Sequence, residues 1–268
     1  MSDEALLAPL TAAVRRVGAD LLARFRAQSA LSARTVEEFR TAFEELDGPA
    51  SEVLRRELAR LRPGARWTRE LDPELPASGE AWVVDAVDGA VQFLRGMPHW
   101  CVSATLVRDR VPVAAVLHAP TLGGTFTAAA GHGAHHNGAP IAPSGTVDPA
   151  MALVCTSHPL FAGRQPEAVA AAGRSLSALL PAVGAVRNLG PTCWQIAEVA
   201  AGRIDAFWQY GVDESNLLGG ALIAREAGAV VTDTEGRAWT ADSPGFLVAG
   251  PALHPRLSAL LAPAGRGV

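Results

Sequence analysis

The 268-residue chain has only three cysteines, at positions 101, 155 and 193. No two of them stand at CxxC spacing. The sequence therefore predicts neither a disulfide scaffold nor a zinc knuckle, but three buried apolar side chains in a reducing compartment. Also missing is any apolar run approaching the ~20 residues that cross a bilayer. The opening MSDEALLAPL is acidic and lacks the basic-then-apolar layout of a secretory signal. Basic charge is not in surplus either: 23 Lys and Arg against 27 Asp and Glu leave a net charge of −4. Nothing global then draws the chain to nucleic acid or anionic lipid. No internal repeat and no long linker divides it. These absences predict a soluble cytoplasmic protein with neither a membrane nor a nucleic-acid partner.

What is present is an apolar-rich chain, 49% hydrophobic, long enough to bury a large core. Leu6, Leu10, Val14, Val17, Leu21 and Phe25 recur at helical spacing and predict an amphipathic helix over 5–27. A second helical pattern runs from Val36 to Leu61, interrupted at Asp47-Gly48-Pro49, where a proline should start a new turn or kink the old one. The period then changes. Trp82–Val84, Cys101–Val107, Val111–Leu117 and Thr125–Ala129 predict a meander of strands, and GHGAHHNGAP a loop. After Pro149 the order becomes α/β. Strands are predicted at 152–156, 185–188, 206–208, 230–232 and 246–249, with helices at 166–179, 192–201, 217–227 and 253–261. An α+β half followed by an α/β half implies helices layered on two sheets, with a site between them.

The segment richest in chemistry is Trp82-Val83-Val84-Asp85-Ala86-Val87-Asp88-Gly89-Ala90. An apolar strand delivers two carboxylates three residues apart, and a glycine then permits a sharp turn into a helix. Hard oxygen ligands at a strand end, just before a helix N-terminus, suit Mg²⁺ together with a phosphate. Asp85, Asp88 and the Val87 carbonyl would take the metal, and the backbone N–H groups at Gly89 and Ala90 the phosphate. The plainer reading is a solvated turn in which Asp88 caps the following helix.

This segment resembles the D-P-(I/L)-D-G-T pattern of the inositol monophosphatase family. The resemblance continues in order through Phe93 and Gly96, Val102-Ser103, Gly133-Ala134 and Asn137-Gly138. It resumes at Val199–Ala206 (the family's V-A-x-G-x-x-D-A) and at Gly220–Val231 (its G-x-L-I-x-x-E-A-G-G-x-V). It implies a layered αβαβα sandwich of the inositol monophosphatase and fructose-bisphosphatase type. The implied lobes are 1–147 and 148–268, forming one unit with the site at their junction. It further implies Mg²⁺ (or Mn²⁺) as cofactor, a small phosphate or other small anion as ligand, and a homodimer.

Carried over residue by residue, the resemblance places an upstream metal-bridging Glu at Glu70, with Glu74 and Glu80 as alternatives. It places at Asp47 the acid that orients an activating threonine, although Asp47 also suits a cap before Pro49. Two departures follow. The threonine of D-G-T is Ala90, which removes a proton relay. The metal aspartate of W-D-x-A-A-G is Asn216, which keeps an oxygen but loses its charge, and weaker metal binding is the consequence. Asp213 and Glu214 stand just ahead of it. Asp213 could compensate, or both could be N-terminal acids favoured by the helix dipole. Gly190-Pro191-Thr192 replaces the family's G-S-A, and Gln209 and Tyr210 fall where its substrate-facing loop begins. His132, His135 and His136 are expected to be solvated loop residues, and Trp100, Trp194 and Trp208 core residues. The expected function is a Mg²⁺-dependent phosphomonoesterase of small polyol, sugar or nucleotide monophosphates. The alternative is an impaired or redirected relative that binds a small anion without efficient hydrolysis.

Overall fold

The computed structural model describes residues 1–27, 33–69, 75–159 and 161–265. Two long helices, α1 (Asp3–Ala27) and α2 (Val36–Leu61), lead into β1 (Arg66–Arg69), β2 (Glu80–Asp88) and the short α3 (Ala90–Leu94). The strands β3 (Cys101–Arg108), β4 (Val111–Ala119), β5 (Gly124–Ala129), β6 (Ala134–His136) and β7 (Ala139–Pro140) follow. These seven strands form one sheet in sequence order, antiparallel except for β1 beside β2. The second half runs β8 (Leu153–Thr156), α4 (Pro166–Leu179), β9 (Ala185–Arg187), α5 (Thr192–Ala200), β10 (Ala206–Tyr210) and α6 (Glu214–Glu226). It closes with β11 (Val230–Thr232), β12 (Gly245–Ala249) and α7 (His254–Gly265). Its five strands are ordered β11-β12-β10-β8-β9.

Alternation along the strands builds three cores. Leu6, Leu10, Leu54 and Leu58 of α1 and α2 pack on Trp82, Val84, Val102 and Val116, one face of the first sheet. Val83, Leu117 and Phe126 on its other face meet Ile196 and Leu218 of α5 and α6, which also cover Phe207 and Phe246 of the second sheet. The far face of that sheet, with Trp208 and Leu247, is closed by α4 and α7 through Leu179 and Leu257. The result is the five-layer αβαβα sandwich. Among the described residues no helix is long and apolar enough to cross a membrane.

Three expectations change. Pro49 does not interrupt α2, which is continuous from Val36 to Leu61. The buried stripe Leu46, Ala50, Leu54 and Leu58 holds the helix through a proline that sits on its exposed side. Asp47 is therefore a mid-helix residue and not a cap. GHGAHHNGAP contributes β6 and β7, joined through Asn137-Gly138 with φ of +51° and +82°, the conformation of a tight hairpin turn. Finally, α6 begins at Glu214, three residues earlier than its apolar pattern.

Candidate functional site

Ala86 and Val87 are consecutive, yet both enter the core beneath α1 and α2. The cause is a bulge. Asp85 pairs with Ser103 and Asp88 with Cys101, so three steps on β2 answer two on β3. On a regular strand, residues three apart point to opposite faces. Val83 faces α5 and α6, Asp85 follows it by two, and the extra residue returns Asp88 to the same side. Both carboxylates are buried. Asp85 Oδ1 accepts the Val87 N–H at 2.9 Å, which ties the turn to its own carboxylate.

The chain then turns at Gly89, the residue before α3, with φ +89° and ψ 35°. A side chain there is excluded twice over. The conformation is left-handed, and a Cβ would lie 2.8 Å from the His99 carbonyl and 2.9 Å from Pro191 Cγ. No side chain caps α3, so the capping role considered for Asp88 does not occur. Its Oδ2 accepts instead from Cys193 Sγ at 2.7 Å and lies 3.7 Å from Cys101 Sγ. Helix α3 is a single turn of five residues, a smaller dipole than the sequence suggested. Ala90 is half-buried against the α1–α2 core.

Helix α6 approaches two elements at once through adjacent glycines. A Cβ at 219 would lie 2.6 Å from Thr105 Oγ1 on β3, and one at 220 would lie 2.8 Å from Ile196 Cβ on α5. Asn216, three and four residues earlier, lies on that side of the helix and is buried. Its Nδ2 donates to Asp213 Oδ1 at 2.9 Å. Asp213 is the N-cap residue of α6, yet its side chain does not cap. Its other oxygen accepts from Gln209 Nε2 at 2.7 Å. Burial first, and then the charge of Asp213, push the Asp88 carboxyl up to about 6. The Asp213 charge is thus felt at Asp88, while Asn216 is tied to Asp213 by its amide.

The other predicted residues take partners of their own where they are described. Glu70 and Glu74 lie outside the described residues. Glu80 sits at the far end of β2, 2.8 Å from Arg108 and 3.5 Å from Arg62. Glu214 faces Arg110 at 4.0 Å. Asp47 accepts from Ser51 Oγ at 3.1 Å, one turn along α2. Strand alternation separates Gln209 from Tyr210: the first holds Asp213, while the second is buried in the far core with its hydroxyl donating to Leu261 O at 3.3 Å. His132 meets Glu4 at 3.5 Å and His136 stacks on Phe126, so the three histidines do not converge. Trp100, Trp194 and Trp208 are buried as expected.

The site also holds contacts that the sequence does not signal locally. Cys101 and Cys193, ninety-two positions apart, meet at Asp88 with 4.0 Å between their sulfurs, and no local pattern signals such a pair. Gln209 was noted for a different role. Its four-residue spacing from Asp213 was the available hint.

The donor types suit a divalent cation. Asp85, Asp88 and Asp213 are all buried, and the charge of Asp213 reaches Asp88. The Gln209 Oε1 is also buried and has no hydrogen-bond donor among the described residues. Buried carboxylates and an orphaned carbonyl oxygen are donors that a hard cation neutralises.

The family model described as inositol monophosphatase family matches residues 2–266. The chain is 34% identical over 197 residues to a Nus factor SuhB of Pseudomonas aeruginosa, covering 72% of each. It is 31% identical over 209 residues to an inositol-1-monophosphatase of Mesorhizobium japonicum, covering 77% of each. The solved inositol monophosphatase of an Anabaena (Nostoc) species superposes with a TM-score of 0.82 at 25% identity, over 96% of this chain and 95% of that one. A bulged acidic turn, a glycine-packed helix and a full-length match together lead to one conclusion: the chain belongs to the inositol monophosphatase family.

Proposed function

We propose that the chain is a Mg²⁺-dependent phosphomonoesterase of small polyol, sugar or nucleotide monophosphates, in which Asp213 supplies the carboxylate that position 216 lacks. The observation that carries this reading is the 2.9 Å bond from Asn216 to Asp213, together with the charge that Asp213 exerts on Asp88. Asp85, the Val87 carbonyl, Asp88, Asp213 and the Asn216 amide oxygen would hold the cation. Mn²⁺ suits the same donors. When bound, the cation supplies charge against the phosphoryl oxygens and a more acidic attacking water.

The chain's own residues do the rest. Asp85 fixes the turn through the Val87 N–H. Gly89 lets the backbone fold tightly between His99 and Pro191, so that the Ala90 end of α3 offers N–H groups to an anionic ester. Gln209 holds the Asp213 carboxylate in place. Ala90 has no hydroxyl to relay a proton, which supports slow turnover rather than absence of binding, because such a group acts mainly on the transition state.

Phosphate release from a panel of sugar, inositol and nucleotide monophosphates, read beside thermal shift, tests the reading. Release that requires Mg²⁺ and disappears in Asp85→Asn supports it. Thermal shift without release would instead support a binding protein, and neither signal would reject a phosphate ligand.

A further inference from the structure

The thiol pair beside Asp88 is unused by the chemistry above. We propose that Asp88, Cys101 and Cys193 form a site for a thiophilic divalent cation of the zinc class. The inference rests on the reading of the β2–α3 turn as a cation site only through Asp88, which the two sites share.

The three donor atoms come from three elements and lie within 4.8 Å of one another. A tetrahedral zinc with its usual bond lengths sets two sulfurs about 3.8 Å apart and a sulfur and an oxygen about 3.5 Å apart. Here the sulfurs stand 4.0 Å apart and Asp88 Oδ2 is 3.7 Å from Cys101 Sγ, already close to those values. The Cys193 Sγ to Asp88 Oδ2 separation, 2.7 Å, is that of a hydrogen bond and has to open by roughly 0.8 Å when the ion replaces the proton. The backbone fixes the rest. Asp88 and Cys101 are ladder partners across β2 and β3. Cys193 is anchored where α5 meets α6, its carbonyl 3.2 Å from the place a Cβ of Gly220 would occupy.

Ligand type argues the same way. Mg²⁺ takes oxygen donors, whereas thiolates select zinc-class ions. Asn216 withdraws a charge from the oxygen set, and the two thiols add soft donors at Asp88 Oδ2. Three protein ligands leave the fourth tetrahedral position open, as in catalytic rather than structural zinc sites. Binding exchanges one dication for the two thiol protons, which pass to solvent. A disulfide is a poorer account, since the sulfurs stand at about twice the S–S bond length.

The test is titration of the metal-free full-length protein with Co²⁺ alone, followed by Zn²⁺ competition, read as thiolate-to-cobalt charge-transfer absorption. A band that saturates near one equivalent and is erased by Zn²⁺ is expected. Cys101→Ser and Cys193→Ser should each remove at least half of it, and Asp88→Asn should weaken Co²⁺ binding tenfold or more. Cys155→Ala, outside the cluster, should leave it unchanged. Co²⁺ binding without the band, or no Co²⁺ binding at all, overturns the proposal, and the unmutated protein decides this without any variant. Mg²⁺-dependent phosphate release without the band would sink this site and leave the proposed function standing. The band without phosphate release would do the reverse.

Discussion

The Asn216 amide donates to Asp213 at 2.9 Å, so a side chain that lost its charge lies against one that keeps it. If Asp213 stands in for the missing aspartate, Asp213→Asn should lower Mg²⁺ affinity at least tenfold. A unit charge about 4 Å from a dication is worth several kcal/mol even when well screened. Calorimetric titration reads this directly. Affinity within twofold of the parent would place Asp213 outside the cation's reach.

Restoring the family residues should raise activity at a cost to the metal-free protein. Asn216→Asp with Ala90→Thr is expected to increase kcat/KM toward sugar phosphates about tenfold or more, through the relay and the added charge. The same change puts a third acid beside Asp88 and Asp213, so Asn216→Asp should melt a few degrees lower in EDTA and recover with Mg²⁺. Melting curves with and without the ion check the sign. Equal stability in EDTA would mean that residue 216 does not share their field.

Gly89→Ala should destabilise the fold by roughly 2–4 kcal/mol, combining a left-handed backbone with hard contacts to His99 and Pro191. Phosphate release should fall with it, because the same turn carries Asp88. Urea denaturation measures the first effect, and a loss below about 1 kcal/mol would show that the turn relaxes easily.

Acid should act against the fold through His118, half-buried, and His254, buried. Burial first, and then the Arg15 charge, hold His118 below its ordinary 6.5, and burial does the same for His254. The folded state therefore binds fewer protons than the unfolded chain as pH falls through that value, and stability drops. Asp88, pushed up to about 6, works in the opposite direction in both proteins, so the difference is the readout: between pH 7.5 and about pH 5 the melting temperature of His118→Gln should fall less, or rise more, than that of the parent. An identical slope in the variant would remove His118 from the account.

The layered fold and the acidic turn are legible in the residues alone, because both rest on short-range regularities. The branched and aromatic run Trp82–Val84 and the helical spacing of Leu6 to Phe25 follow from how strands and helices project side chains. Asp85-x-x-Asp88-Gly89 carries its turn chemistry within five residues. The sequence also exposed the two departures, Ala90 and Asn216, as single-position replacements. The remaining features depend on contacts across the fold. The β2 bulge that turns Asp85 and Asp88 to one face is a property of pairing with β3. Asp213 lies beside Asn216 because α6 begins early enough to put it there. Pro49 is tolerated because a buried stripe on both sides holds the helix against its local cost. Cys101 and Cys193 meet at Asp88 only because the start of β3 and the start of α5 come together there, and no local pattern reports a contact across ninety-two positions.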